Sequence, residues 1–181
     1  MKKSLLLACL CLAPALAVRG AGPKEEFIKH WKVSADFTIA VADAMPADKY
    51  DFRPNDTLEP VEMGFGKVMT HIAMANNSNF AMVAGMKAPA VPEKLAAAYK
   101  DPNGKFPKAD VMQFLKDSFE FCDKALAAID NDKLDSMTGP QGRQLSGHER
   151  LWSYFTHTAH HRGQAEVYLR VQNIRPPAYK F

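Results

Sequence analysis

Cysteine is scarce in this sequence, with three in 181 residues. Two of them, Cys9 and Cys11, fall in an N-terminal apolar run, which leaves Cys122 with no partner for an internal disulfide. An excess of charge is missing too: 23 Lys and Arg face 20 Asp and Glu, and no basic run or basic helix face stands out. The electrostatic footprint of a nucleic-acid binder is therefore lacking, and nucleic acid is not expected as a partner. No apolar run reaches the roughly 20 residues that a bilayer crossing needs. Period-two alternation is also missing, as are internal repeats and low-complexity tracts, so neither a sheet nor a repeat architecture is expected.

The N-terminus does carry a pattern. Met1-Lys2-Lys3 precedes an uncharged apolar run from Leu5 to Ala17, which ends in Ala15-Leu16-Ala17. A basic start, a short apolar stretch and a small-x-small end read as a secretory signal. Cleavage after Ala17 is expected, giving a periplasmic or secreted protein with no membrane segment left in it. Residues 18–181 are then the size of one domain, and loss of Lys2 and Lys3 lowers the net charge from +3 to +1.

Helical periodicity dominates the remainder. Phe27, Trp31, Ala35, Thr38, Ala42 and Met45 recur at three- and four-residue steps and predict a helix over about Lys24 to Met45, ended by Pro46. Phe65, Val68, Met69, Ile72, Asn76 and Phe80 predict a second over about Phe65 to Ala84, closed by Gly85. After a Pro-, Lys- and Ala-rich connection, in which Pro92 to Tyr99 can form a short extra helix, a third runs from about Ala109 to Ile129. Its stripe of Leu115, Phe119, Cys122, Leu126 and Ile129 marks Cys122 as a buried apolar thiol. The fourth runs from near Ser146 to near Asn173, and Ser146-Gly-His-Glu149 fits a capping box. Four amphipathic segments of this length predict an all-α four-helix bundle. The connection between the second and third long helices is the longest, and is expected to cross the end of the bundle or fill a gap beside it.

Within the last helix, Leu151, Tyr154, His157, His161, Ala165 and Tyr168 form the inward stripe, so two histidines stand where leucine would serve. A spacing of four stacks their rings on one face, one turn apart. Such a pair is half of a transition-metal site, as in helical zinc proteases, but the glutamate those enzymes place after the first histidine is here Thr158. The alternative is two core histidines, each bonded to a hydroxyl or carbonyl. His160 lies about 100° round the helix from His161 and belongs on the flank. A third ligand must come from elsewhere, and His71, at the edge of the second helix's apolar stripe, is the candidate donor. Otherwise it is a boundary histidine. His30 and His148, near helix starts, are expected at the ends of the bundle and exposed.

Tyr50-Asp-Phe-Arg-Pro54 with Phe65-Gly-Lys-Val-Met-Thr-His71-Ile, and His157-xxx-His161-Arg-Gly-Gln164 with Tyr168-Leu-Arg and Pro176-Pro177, resemble the DinB/YfiT-like superfamily. That resemblance covers essentially all of residues 18–181. It implies a four-helix bundle holding a divalent metal on three histidines, here His71, His157 and His161. Zinc or nickel comes first among the metals, with iron, copper or manganese as alternatives, because imidazole suits several of these ions. Three neutral ligands leave a coordination position open, the pattern of a catalytic rather than a closed structural site. The expected activity is that of a metal-dependent hydrolase acting on a small-molecule substrate. The alternatives are a non-catalytic metal-binding or stress-related protein and a metal-dependent thiol transferase. The resemblance also suggests a homodimer. Gln164, one turn past the pair, is either a residue that orients a ligand ring or substrate, or an ordinary polar helix contact. Arg162 has no evident role, and Gly163 is small enough to admit a close neighbouring helix.

Overall fold

Four long helices, each packed on two of the others, build the molecule. The computed structural model describes residues 22–54 and 63–179. The expected signal segment and its cleavage point lie outside the described residues. Helix α1 spans Pro23–Ala44, with proline in its first turn, where a missing N–H costs nothing, and Glu25 and Glu26 beside the positive end of the dipole. Pro46 forces Met45 into extended backbone and ends it. A 3-10 turn at Ala47–Lys49 follows. Helix α2 spans Phe65–Ala84 and stops at Gly85, whose φ of 67° places it in the left-handed region that glycine tolerates. Helices α3 (Glu93–Lys100), α4 (Lys108–Ala128), α5 (Asn131–Asp135) and α6 (Gly147–Val171) complete the order. The capping box at the start of α6 is formed in both directions, between the Ser146 side chain and the Glu149 N–H and between the Glu149 side chain and the Ser146 N–H.

Packing runs α1 to α6, α6 to α2, α2 to α4 and α4 back to α1. The fold is the expected all-α bundle. Because α2 and α4 are direct neighbours, the long connection between them has no diagonal to cross. Instead it fills a gap: α3 turns Leu95 and Ala98 into the core. Every residue of the α1 and α2 stripes named above is buried, as are Leu115, Phe119, Cys122, Leu126 and Ile129. Trp31 anchors this core, with its ring 4.4 Å from that of Phe80 and 5.5 Å from that of Phe119. No helix of the described residues is long and apolar enough to cross a membrane.

Two small elements depart from the sequence-based expectation. Helix α5 is a single turn capped by Asp130, which accepts the Lys133 N–H. Strands β1 (Met137–Thr138) and β2 (Leu145–Ser146) pair antiparallel ahead of α6. Each strand has two residues, too few to leave an alternating pattern in the sequence. Buried Arg150 binds this hairpin to the bundle, donating to the Thr138 hydroxyl and carbonyl and to Oδ1 of Asn79.

Candidate metal centre

Since α2 and α6 are neighbours, His71 on the first faces His157 and His161 on the second. The three rings close on one another, with centroids 5.0 Å apart for His71 and His157, 4.7 Å for His71 and His161, and 4.5 Å for His157 and His161. One nitrogen from each lies within 4.8 Å of the other two. Nε2 of His71 is 3.2 Å from Nε2 of His157. Two imidazole nitrogens sharing a tetrahedral ion at ~2.0–2.1 Å would sit roughly 3.3 Å apart, so this pair is already at ligand spacing. Among the described residues, no carboxylate or cysteine joins the three. The donor set is therefore neutral and fits a divalent transition metal, with His71, His157 and His161 as the residues positioned to hold it.

Electrostatics favour the neutral, lone-pair form. Burial lowers the pKa of all three rings below the usual histidine value. His157 falls furthest, to about 4, because desolvation is reinforced by His161, His71 and His160 around it. Gln164 works against the trend at His161, where its Oε1 accepts from Nδ1 at 2.7 Å. A side-chain amide oxygen can only accept, so Nδ1 carries the proton and Nε2 of His161 keeps its lone pair. Of the two readings open for Gln164, the ring-orienting one is the one observed. Tyr99 of α3, which the sequence pattern did not single out, lies 2.8 Å from Nδ1 of His71 through its hydroxyl.

The other histidines stay outside the cluster. His160 is exposed on the flank, although its ring centroid is 4.9 Å from that of His161. His148 is half-buried and faces Asp135 at 3.7 Å, and His30, on the second turn of α1, is half-buried rather than exposed.

This chain matches the profile of the DinB superfamily over residues 30–165, a span that begins in α1 and includes all three histidines. The chain belongs to the DinB superfamily. Its fold is similar to that of a DinB-like protein from Bacillus cereus, at 20% identity and a TM-score of 0.67, covering 86% of this chain and 97% of that one. A DinB-like protein from Bacillus subtilis is similar at 17% identity and a TM-score of 0.65, over 86% and 98% of the two chains. A conserved protein of Enterococcus faecalis is similar at 13% identity and a TM-score of 0.64, over 84% and 98%. No curated protein matches the sequence.

Two further residues between His157 and Gln164 have buried partners. Thr158, standing where the zinc proteases carry glutamate, is fully buried and donates to Oδ1 of Asn76 on α2 at 3.1 Å. Arg162 is buried and donates to the Ser34 carbonyl, Ser34 Oγ and Thr38 Oγ1 of α1 at 3.2, 2.8 and 3.2 Å. Its guanidinium also lies 4.7 Å from the centroid of the Phe37 ring. The segment thus ties α6 to α2 through Thr158 and to α1 through Arg162, on either side of His161. Gly163 departs from the sequence-based expectation: a Cβ there would meet nothing within 4 Å, so no helix of the described residues approaches it.

Proposed function

We propose that this DinB-superfamily protein binds one divalent transition metal through His71, His157 and His161, zinc or nickel first, and serves as an exported metal-dependent hydrolase of a small molecule. The observation that carries the reading is the convergence of three neutral imidazoles from two helices with no fourth protein ligand among the described residues. When bound, a metal in such a donor set supplies a Lewis acid with an open position, able to acidify a coordinated water or polarise a carbonyl. The protein's own contribution is to keep the three rings neutral and aimed at one point. Burial holds the rings neutral, Gln164 fixes the tautomer of His161, and the Thr158 and Arg162 anchors fix the register of α6.

An open donor set favours catalysis over the non-catalytic alternative, since a sequestering site gains from a fourth ligand that closes it. Export rests on the Met1–Ala17 pattern and supports water rather than a cytoplasmic thiol as the second reactant. Elemental analysis of natively purified protein is the first test, with stoichiometric uptake of one transition metal expected. Turnover by the loaded protein against a panel of esters, amides and phosphoesters, abolished in His157→Ala, is the second. Stoichiometric metal with no turnover on any of them would favour the non-catalytic reading, and no metal at all would end both.

A further inference from the structure

The outer nitrogens of the three histidines have unequal surroundings. Nδ1 of His161 has Gln164, Nδ1 of His71 has the Tyr99 hydroxyl, and Nδ1 of His157 is buried without a hydrogen-bond partner. On the inner side, Nε2 of His71 and Nε2 of His157 are 3.2 Å apart, so one proton is shared between two neutral rings. Two arrangements satisfy that contact. If His71 holds the proton on Nε2, then the proton of His157 must sit on its buried Nδ1, leaving an N–H donor with no acceptor. If His157 holds it on Nε2, only a lone pair is left at the buried Nδ1, the milder defect. The second arrangement places the proton of His71 on Nδ1, directed at the Tyr99 oxygen. That oxygen is free to accept, because the Tyr99 hydroxyl has a second contact at Sδ of Met63, 4.0 Å away, to which it donates. Met63 is in turn held by the Tyr168 hydroxyl of α6, which donates to its carbonyl at 3.2 Å.

We propose that Tyr99 is a positioning residue of the histidine centre: its hydroxyl oxygen accepts the Nδ1 proton of His71 and keeps the Nε2 lone pair turned toward His157 and His161. The proposal rests on reading the three histidines as a metal centre, and it makes α3 a working part of that centre. The geometry around α3 is built for such a role. Leu95 and Ala98 anchor the helix in the core. The Gly104 backbone lies so close to the Ala98 carbonyl that a Cβ there would overlap it. Lys67, one turn before His71 on α2, sets its ammonium 4.9 Å from the centroid of the Tyr99 ring, a contact to the ring face that leaves the hydroxyl's bond to His71 untouched.

Tyr99→Phe keeps the ring and removes the oxygen. Long-range 1H–15N NMR on the metal-free chain is expected to show His71 with its proton on Nδ1, and Tyr99→Phe to move that proton to Nε2 or to a mixture. Zinc affinity, measured by chelator competition, is expected to fall about 10- to 100-fold in Tyr99→Phe, the usual loss when an outer partner of a histidine ligand is removed. Lys67→Met, which keeps the hydroxyl, is expected to bind zinc like the parent. An unmoved His71 tautomer or an unchanged affinity in Tyr99→Phe overturns the proposal. So does a Lys67→Met loss as large as that of Tyr99→Phe, which would assign the effect to ring packing. In a chain that takes up no zinc, the tautomer measurement still decides the Tyr99–His71 bond, so failure of the metal reading and failure of this one are separate results.

Discussion

Thr158 Oγ1 lies 3.1 Å from Asn76 Oδ1, and neither residue has any solvent exposure. The bond joins α2 to α6 at the position next to His157, where a slip of the helices would separate the imidazoles. Asn76 also carries an Nδ2 with no partner, so among the described residues the bond from Thr158 is what satisfies this side chain. Thr158→Val, close in shape but without the hydroxyl, is expected to cost about 1–3 kcal/mol, the penalty for stranding a buried polar group. Urea denaturation checks this. Adding Asn76→Leu should recover part of the loss, since it removes the stranded group, and a double variant less stable than Thr158→Val would argue against the account.

Metal should be visible as stability. A ligand that binds only the folded state at about 100 times its dissociation constant contributes roughly 2.7 kcal/mol, several degrees in Tm for a domain of this size. EDTA should remove that increment from the parent chain. His157→Ala and His161→Ala should show no EDTA response, because each deletes one of three ligands, while His160→Ala, changed on the exposed flank, should respond like the parent. The opposite pattern in differential scanning fluorimetry would reassign the pair.

How far these relationships are legible in the sequence depends on their range. The α1, α2 and α4 stripes are readable because burial of one helix face repeats every three or four residues, and the same logic finds His157 and His161 on α6. The capping box is equally local. His71 is readable as a helix-edge histidine, but its meeting with α6 depends on which helices are neighbours, and periodicity is silent on that. The resemblance to the DinB superfamily supplied the ligand set. Tyr99 escapes altogether: its hydroxyl matters through where an eight-residue helix, distant in sequence, sets it against His71. Arg162 escapes for a related reason, since nothing local gives it a role until Ser34, Thr38 and Phe37 of another helix are seen around it.

The pH dependence of the metal-free protein follows from the depressed histidines. His157 titrates at about 4 in the folded chain, against 6.5 when unfolded. Above 6.5 both states are neutral there and nothing is lost. As pH falls from 6.5 toward 4, the unfolded chain binds the extra proton, so folding stability drops across that window and levels off below it. His71 and His161, lowered in the same direction, add to the slope. Denaturation midpoints between pH 7 and 4 should show this decline, and His157→Gln should flatten it. Stability that rises on acidification through this window would contradict the burial argument.

Arg162 and Gly163 are neighbours with opposite expected responses. Arg162 spreads three hydrogen bonds over Ser34 and Thr38 and lies over Phe37. All three bonds leave one nitrogen, Nη1, while the guanidinium lies over the Phe37 ring; lysine has no plane to stack there, and its shorter reach would take the donor away from the Ser34 and Thr38 hydroxyl oxygens. Arg162→Lys is therefore expected to destabilise by about 1–3 kcal/mol. It should also lower metal affinity, because the next residue back along α6 is His161. Gly163 has no such constraint: it is exposed, helical, and its missing Cβ would touch nothing within 4 Å. Gly163→Ala is expected to stabilise by roughly 0.5–1 kcal/mol, the ordinary gain of alanine over glycine inside a helix. Equilibrium unfolding of both single variants and their combination checks the pair. Gly163→Ala measuring as destabilising would show that something outside this chain's own described residues occupies the space beside it.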